Sequence, residues 1–491
     1  MSLSMEYILK QISLPKRYFD NDFVIADQFE KEKDRFLDIL GQYNADDIND
    51  DKYKGYMLFK MKHVIDEAKK VSEIILDIFK CHENADSKGA QELMDQLMEF
   101  IKDDIFVGSI TGQLNYQNDQ FKDNKRSIFI GGKQRTNFFR VRAVEYESEN
   151  IQNNPDELFH IPLSKRAYAG DGRFSLAGFP SLYLSTNLAL AWQKCGYPQK
   201  YYYSEYRSKQ IDTSEELQFL LLYSPAEIIS FASWKYNDLA LWVEIATRYL
   251  KTYPLVLACS FINQSGNVPY KQEYIIPQML MRWVKRNGSR IQGIEYFSCV
   301  DNSKFIRTWK GYNIVIPALP PYDSQGYSEK LREQFTWSEP KFYAVPVFDK
   351  QETEKDREFL YDFISYIKYI FRTMVLPEKY CDIIMTMLNT SGCLLRLLEN
   401  EKDMDMQMII LTLHVLTDNV AFINNLQLDK IIEEAKNSDK NKFMSEEQME
   451  SSTNALKNLY HKMVSVNNGE KVDDIGSMIW KYEGLCWNIY N

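Results

Sequence analysis

The stretch richest in chemically capable side chains runs from Leu158 to Gly196, LFHIPLSKRAYAGDGRFSLAGFPSLYLSTNLALAWQKCG, where Arg, Tyr, Gly and Pro crowd together. Taken one at a time, its residues and their neighbours have ordinary readings. Arg140 and Arg142, upstream in FFRVR, suit the solvent face of an edge strand; the two-residue strand period puts both on one face, so a shared pocket is open to them. Arg173 in DGRF fits a turn, Tyr183 in LYLST fits a core strand, and Ser298 in GIEYFS says nothing alone. His160 in LFHIP invites a general-base role, yet a lone histidine in an apolar stretch is more often structural. Gln278 in IIPQ either points at a site or sits at a helix start, since Pro277 suits a first helical turn. The run YYYSEY, Tyr201 to Tyr206, offers rings that stack on a base or simply pack in a surface loop. The GDG and GG pairs are no phosphate loop, because neither GxxxxGK[ST] nor a GxGxxG after a strand occurs.

Taken together, five blocks stand in the order and spacing of a RES domain, and the chain from about Phe138 to Val300 resembles that family. An Arg on a first strand matches Arg140, a Gly-Arg-aromatic stretch matches Arg173 in GDGRFS, and a Leu-Tyr-Leu strand matches Tyr183. The segment EYIIPQMLMRWV, Glu273 to Val284, looks like the helix leading into the family's Ser strand, and Ser298 matches the serine. The resemblance covers about a third of the chain. It implies an ADP-ribosyltransferase-like fold with NAD as substrate, the nicotinamide–ribose bond being cleaved with water or phosphate as acceptor. Arg140 and Arg173 would then offer planar donor forks to the phosphates. Tyr183 would pack against nicotinamide or ribose, and Ser298 would hold a phosphate or ribose oxygen. Gln278 is a further candidate contact.

The chain departs from the family where a carboxylate is expected. Trp192-Gln193 replaces Trp-Glu, and an amide cannot offset the positive charge that develops on the ribose as the bond breaks. A chain with Gln193 is therefore expected to be nearly inactive, either through an introduced Glu-to-Gln change or as a natural nucleotide-binding pseudoenzyme. The intact state of every other matching position favours the introduced change. The resemblance implies an NAD glycohydrolase or phosphorylase, a bacterial toxin or anti-phage abortive-infection effector whose helical arms hold it inactive or sense a trigger. A protein ADP-ribosyltransferase and a non-catalytic nucleotide sensor are the alternatives.

These residues must be positioned by flanking elements. FFRVRAVEY alternates like a strand, LYLST and PLVLACSFI read as two more, and Leu239 to Leu250 and Tyr274 to Val284 read as helices. From Ile25 to Asp104 the periodicity is helical, with breaks at NADDINDD and HENADSKG. Asn115 to Thr136 is polar and basic and reads as a linker. After Pro340 four further helical patterns follow, Glu352 to Met374, Cys381 to Leu398, Met404 to Asn425 and Glu446 to Val464. An α+β chain is expected, with helical domains over 1–125 and 346–491 around a mixed α/β catalytic domain over 126–345. The apolar stripes of the arms suit internal cores, a regulatory protein partner or a homo-oligomer.

Composition is that of a soluble globular protein of 491 residues, 45% hydrophobic and 26% charged, too long for one compact core. A net charge of −10 argues against a general hold on nucleic acid. The N-terminus lacks the apolar run of a signal peptide, and no stretch reaches membrane-spanning length, so a cytoplasmic protein is expected. Seven scattered cysteines without CxxC spacing suit a reducing compartment, and five dispersed histidines assemble no local zinc cluster, so no metal is expected.

Overall fold

Helical and alternating patterns combine into a mixed α/β protein, one large mixed sheet with helices packed on it. The computed structural model describes residues 5–18, 24–43, 51–110, 113–115, 127–129, 137–186, 188–196, 198, 200–209, 217–230, 239–263, 270–287, 290–299 and 311–344. The helical region expected over 346–491 lies outside the described residues.

At the N-terminal side stand α1 (Met5–Gln11), β1 (Lys16–Tyr18), α2 (Ile25–Gly41), α3 (Asp51–Glu83) and α4 (Ser87–Ile101). The break at HENADSKG falls between α3 and α4. There Ala85 takes a φ of 58°, and Asp86 caps α4 by accepting from the Gly89 N–H at 2.8 Å. The chain continues through β2 (Val107–Ser109), β3 (Gln113–Asn115), β4 (Ser127–Phe129), β5 (Asn137–Ala143), α5 (Glu149–Gln152), β6 (Ser181–Ser185), α6 (Leu188–Lys194) and β7 (Lys200–Ser208). Next come β8 (Gln218–Leu222), α7 (Pro225–Ser230), α8 (Leu239–Ala258), β9 (Phe261–Asn263), α9 (Ile275–Arg286) and β10 (Gly293–Phe297). The described part closes with β11 (Tyr312–Pro317), α10 (Glu329–Gln334), β12 (Phe335–Trp337) and β13 (Lys341–Ala344).

The main sheet has the order β12-β7-β5-β6-β11-β10-β8-β2-β3-β4, with β13 also on β7; β8 and β10 run parallel and the other neighbours antiparallel. β5 is held along its whole length by β7, from Asn137 opposite Arg207 to Ala143 opposite Tyr201. On its other side the described ladder to β6 is the single pair Phe139–Ser185. The strands diverge there, and backbone groups that a full ladder would use are left to side chains. A separate two-stranded sheet pairs β1 with β9 in parallel. The N-terminal helices share one apolar core with the sheet: Phe36 of α2 lies 4.4 Å from the Tyr253 ring of α8, and Phe29 lies 6.4 Å from Phe261 of β9.

Three expectations are corrected. PLVLACSFI is not a strand: α8 continues through Pro254 to Ala258, and only Phe261–Asn263 is extended. Buried apolar runs of this length read alike as strand or helix, and packing decided the matter, since Tyr249, Leu250, Tyr253, Leu255 and Leu257 are all buried. YYYSEY is no surface loop but the body of β7, with Tyr201, Tyr202, Tyr203 and Tyr206 fully buried. The polar stretch read as a linker carries β4, which pairs with β3 at the edge of the sheet.

Candidate active site

The divergence of β5 from β6 opens a cavity of about 650 Å³, within the roughly 300–1,000 Å³ typical of small-molecule sites. Arg140, Arg173, Tyr183 and Ser298 all line it, although they come from β5, a turn, β6 and the end of β10. Arg140 reaches into the gap and donates from Nη1 to the Tyr183 carbonyl at 3.3 Å, a carbonyl at the divergence of the two strands. Its Nε is buried and has no hydrogen-bond partner among the described residues.

Arg173 is presented by a tight turn in which Gly172 and Ser175 form an antiparallel bridge. Asp171 braces this turn by accepting from the Ala177 N–H at 2.8 Å. A Cβ at Gly172 would come within 2.6 Å of Ser175 Oγ and 2.8 Å of Tyr183 Oη, so any side chain there would displace those hydroxyls. Arg173 donates to the Cys259 carbonyl at 3.0 Å, and its guanidinium lies 5.1 Å from the Tyr274 ring centre. The Tyr183 hydroxyl is packed against this turn, and burial pushes it up to about 12, so it stays protonated as a donor. Ser298 Oγ is buried at the rim of β10 without a partner among the described residues.

The remaining expected residues fall elsewhere. Gln278 supports the site from outside, its Nε2 donating to the Gly172 carbonyl at 3.3 Å. Gln193 is buried but does not line the cavity. The lining residues are Ala191 and Lys194 of α6 and Cys195 just past its end, whereas position 193 is turned about 100° from Lys194. Trp192, fully buried with its Nε1–H donating to the Pro198 carbonyl at 2.9 Å, fixes the helix in that rotation. Arg142 is tied to the Glu157 carboxylate and carbonyl and takes no part in the cavity. His160 is structural: Nε2 accepts from the Ser328 N–H at 2.9 Å and Nδ1 meets the Ile161 carbonyl at 2.8 Å, and burial lowers it to about 4.

Three charged residues of the lining, Lys194, Lys271 and Glu273, were not among the expected site residues. Lys194 Nζ is buried without a hydrogen-bond partner among the described residues, 4.6 Å from the Tyr183 ring centre and 4.3 Å from that of Tyr296. Burial lowers its pKa to about 7; neighbouring Arg173 pushes the same way, while Cys299 and Cys195 oppose. Glu273, in the short turn before α9, is the one carboxylate among the described residues of the lining, which also holds Arg140, Arg173, Lys194 and Lys271. A lysine closing an otherwise apolar LALAW segment was the available signal for Lys194, but the helix is too short for its phase to be read. Glu273 opens the EYIIPQMLMRWV block, but the resemblance gives it no role there. With four cations, one carboxylate and several unpartnered buried donors, the cavity is built for a polar, anionic ligand.

Among the described residues no group of three or more His, Cys, Asp or Glu is placed to hold a metal ion, and no helix is long and apolar enough to cross a membrane. The chain is 34% identical over 214 residues to "Putative toxin YopC" of Bacillus subtilis strain 168, a match covering 41% of this chain and 45% of that protein. No family model and no solved structure matches.

Proposed function

We propose that this protein is an NAD-degrading enzyme of RES-like type that cleaves the nicotinamide–ribose bond and acts as a toxin. One observation carries most of the support: the four residues Arg140, Arg173, Tyr183 and Ser298, spread over about 160 positions, line a single cationic cavity. In this reading the two guanidinium forks hold the pyrophosphate in water-poor surroundings, where charge-assisted bonds are strongest. Tyr183 packs against the ribose or nicotinamide ring, and the Ser298 hydroxyl fills a ribose or phosphate oxygen's remaining bond. The toxin role draws on the name of the Bacillus subtilis relative, "Putative toxin YopC".

The test is direct. Purified protein, unmodified and as Gln193→Glu, is incubated with NAD, with and without inorganic phosphate, and nicotinamide, ADP-ribose and ADP-ribose-1-phosphate are quantified. Release of nicotinamide is expected, and its absence from both forms refutes the reading. Label transferred to a protein would instead identify an ADP-ribosyltransferase, and NAD bound intact a nucleotide sensor.

A further inference from the structure

We infer that Glu273, and not the residue at 193, supplies the negative charge that steadies the ribose cation, so the chain is catalytically competent with Gln193 in place; this rests on the NAD-cleaving reading above. The amide of Gln193 is buried off the cavity on the far side of the Trp192 anchor, so even a carboxylate at that position would lie away from the lining face of α6. Glu273 is in the lining, 6% exposed, and has no ion pair or hydrogen bond among the described residues. A carboxylate held in the same lining as two arginines and two lysines is placed to meet positive charge that develops inside the cavity.

Its placement is fixed rather than incidental. The turn that carries it is anchored by Gln272, whose Oε1 accepts from the Ile25 N–H at 3.1 Å at the start of α2. On the other side Tyr274 lies under Arg173 at 5.1 Å and under Lys271 at 5.2 Å, so the neighbouring ring is clamped by two of the cavity's cations. Gln278, one turn into α9, holds the Gly172 carbonyl. Glu273 is therefore keyed to the same turn that presents Arg173. With the phosphates on the arginines, the NAD-cleaving reading turns the nicotinamide ribose and its cationic ring, the half that Coulomb attraction favours, towards this carboxylate.

The chemistry balances with water as acceptor. The bond between ribose C1′ and the ring nitrogen breaks, its electron pair returning to nitrogen, so nicotinamide leaves neutral. The cationic sugar is stabilised by the Glu273 carboxylate, water adds to C1′, and its proton passes to that carboxylate and then to solvent, giving ADP-ribose.

The experiment compares nicotinamide release and NAD affinity in the unmodified full chain, Glu273→Gln, Glu273→Ala with and without added formate, and Gln193→Glu. Expected are release by the unmodified chain, a fall of about 10²–10³-fold in Glu273→Gln with affinity within about threefold, and partial rescue of Glu273→Ala by formate. Unchanged release by Glu273→Gln overturns the assignment and leaves the NAD-cleaving reading standing. So does release that appears only in Gln193→Glu, or a loss in Glu273→Gln that coincides with lost NAD binding. No release from any form removes both.

Discussion

If the cavity holds a pyrophosphate, Lys194 should make its affinity depend on pH above about 7. Its ammonium is lowered to about 7 by burial, so it is roughly half protonated at pH 7, about a tenth at pH 8 and about a hundredth at pH 9. The groups that face it do not confuse the window. Arg173 and Arg140 stay charged, Tyr183 is held at about 12, and burial raises Cys195 and Cys299. A bound pyrophosphate restores the charge, so ligand binding above pH 7 draws in a proton, about 0.9 per site at pH 8. If only the ammonium form binds, affinity falls by up to about 50-fold between pH 7 and 9, about 2.3 kcal/mol. ADP-ribose suits the measurement, because its pyrophosphate does not titrate in this range. Calorimetry in two buffers of different ionisation enthalpy reads the proton uptake, and Lys194→Met should abolish both the uptake and the pH slope. An affinity independent of pH with no proton uptake in the unmodified chain would refute the placement of a free ammonium in the cavity. Without ligand the sign is opposite: the unfolded chain keeps this proton up to its ordinary value near 10.5, so Lys194 makes the fold more stable as pH rises from about 7 towards that value.

Three further outcomes follow from the geometry. Arg140→Lys keeps the charge but loses the fork and the bond to the Tyr183 carbonyl, so NAD or ADP-ribose affinity should fall about 10- to 100-fold in equilibrium binding. Gly172→Ala drives a methyl into Ser175 and Tyr183, and denaturant unfolding should show a loss of about 1–3 kcal/mol together with weakened binding. His160, neutral and lowered to about 4, takes up its proton in the unfolded chain first, so folding should lose up to about 3 kcal/mol as pH falls from 6.5 to 4. His160→Gln should flatten that loss in acid melts without altering nicotinamide release per folded molecule.

What could be read without coordinates was local. Alternation placed Arg140 and Tyr183 on strands, and the polar break at HENADSKG placed a helix boundary, because period and turn chemistry are carried by neighbouring residues. What could not be read depends on distant packing. Whether Pro254 ends a helix or sits inside one is decided by α8 packing against α3 and α2, and the burial of YYYSEY by β5, β12 and β13 on its flanks. The resemblance aligned Gln193 with a catalytic position, yet which side of α6 meets the cavity is set by Trp192 and the carbonyl of Pro198. Glu273 enters the lining only because β9 and the turn before α9 fold back beside Arg173, contacts that no local pattern encodes.

The short parallel pairing of β1 with β9 joins an N-terminal segment to the middle of the chain. Ile262 and Asn263 wall the cavity, and their described strand partners are Arg17 and Tyr18. The segment 5–18 and the cavity wall thus share one ladder, and whatever free energy couples ligand binding to the docking of that segment acts equally in both directions.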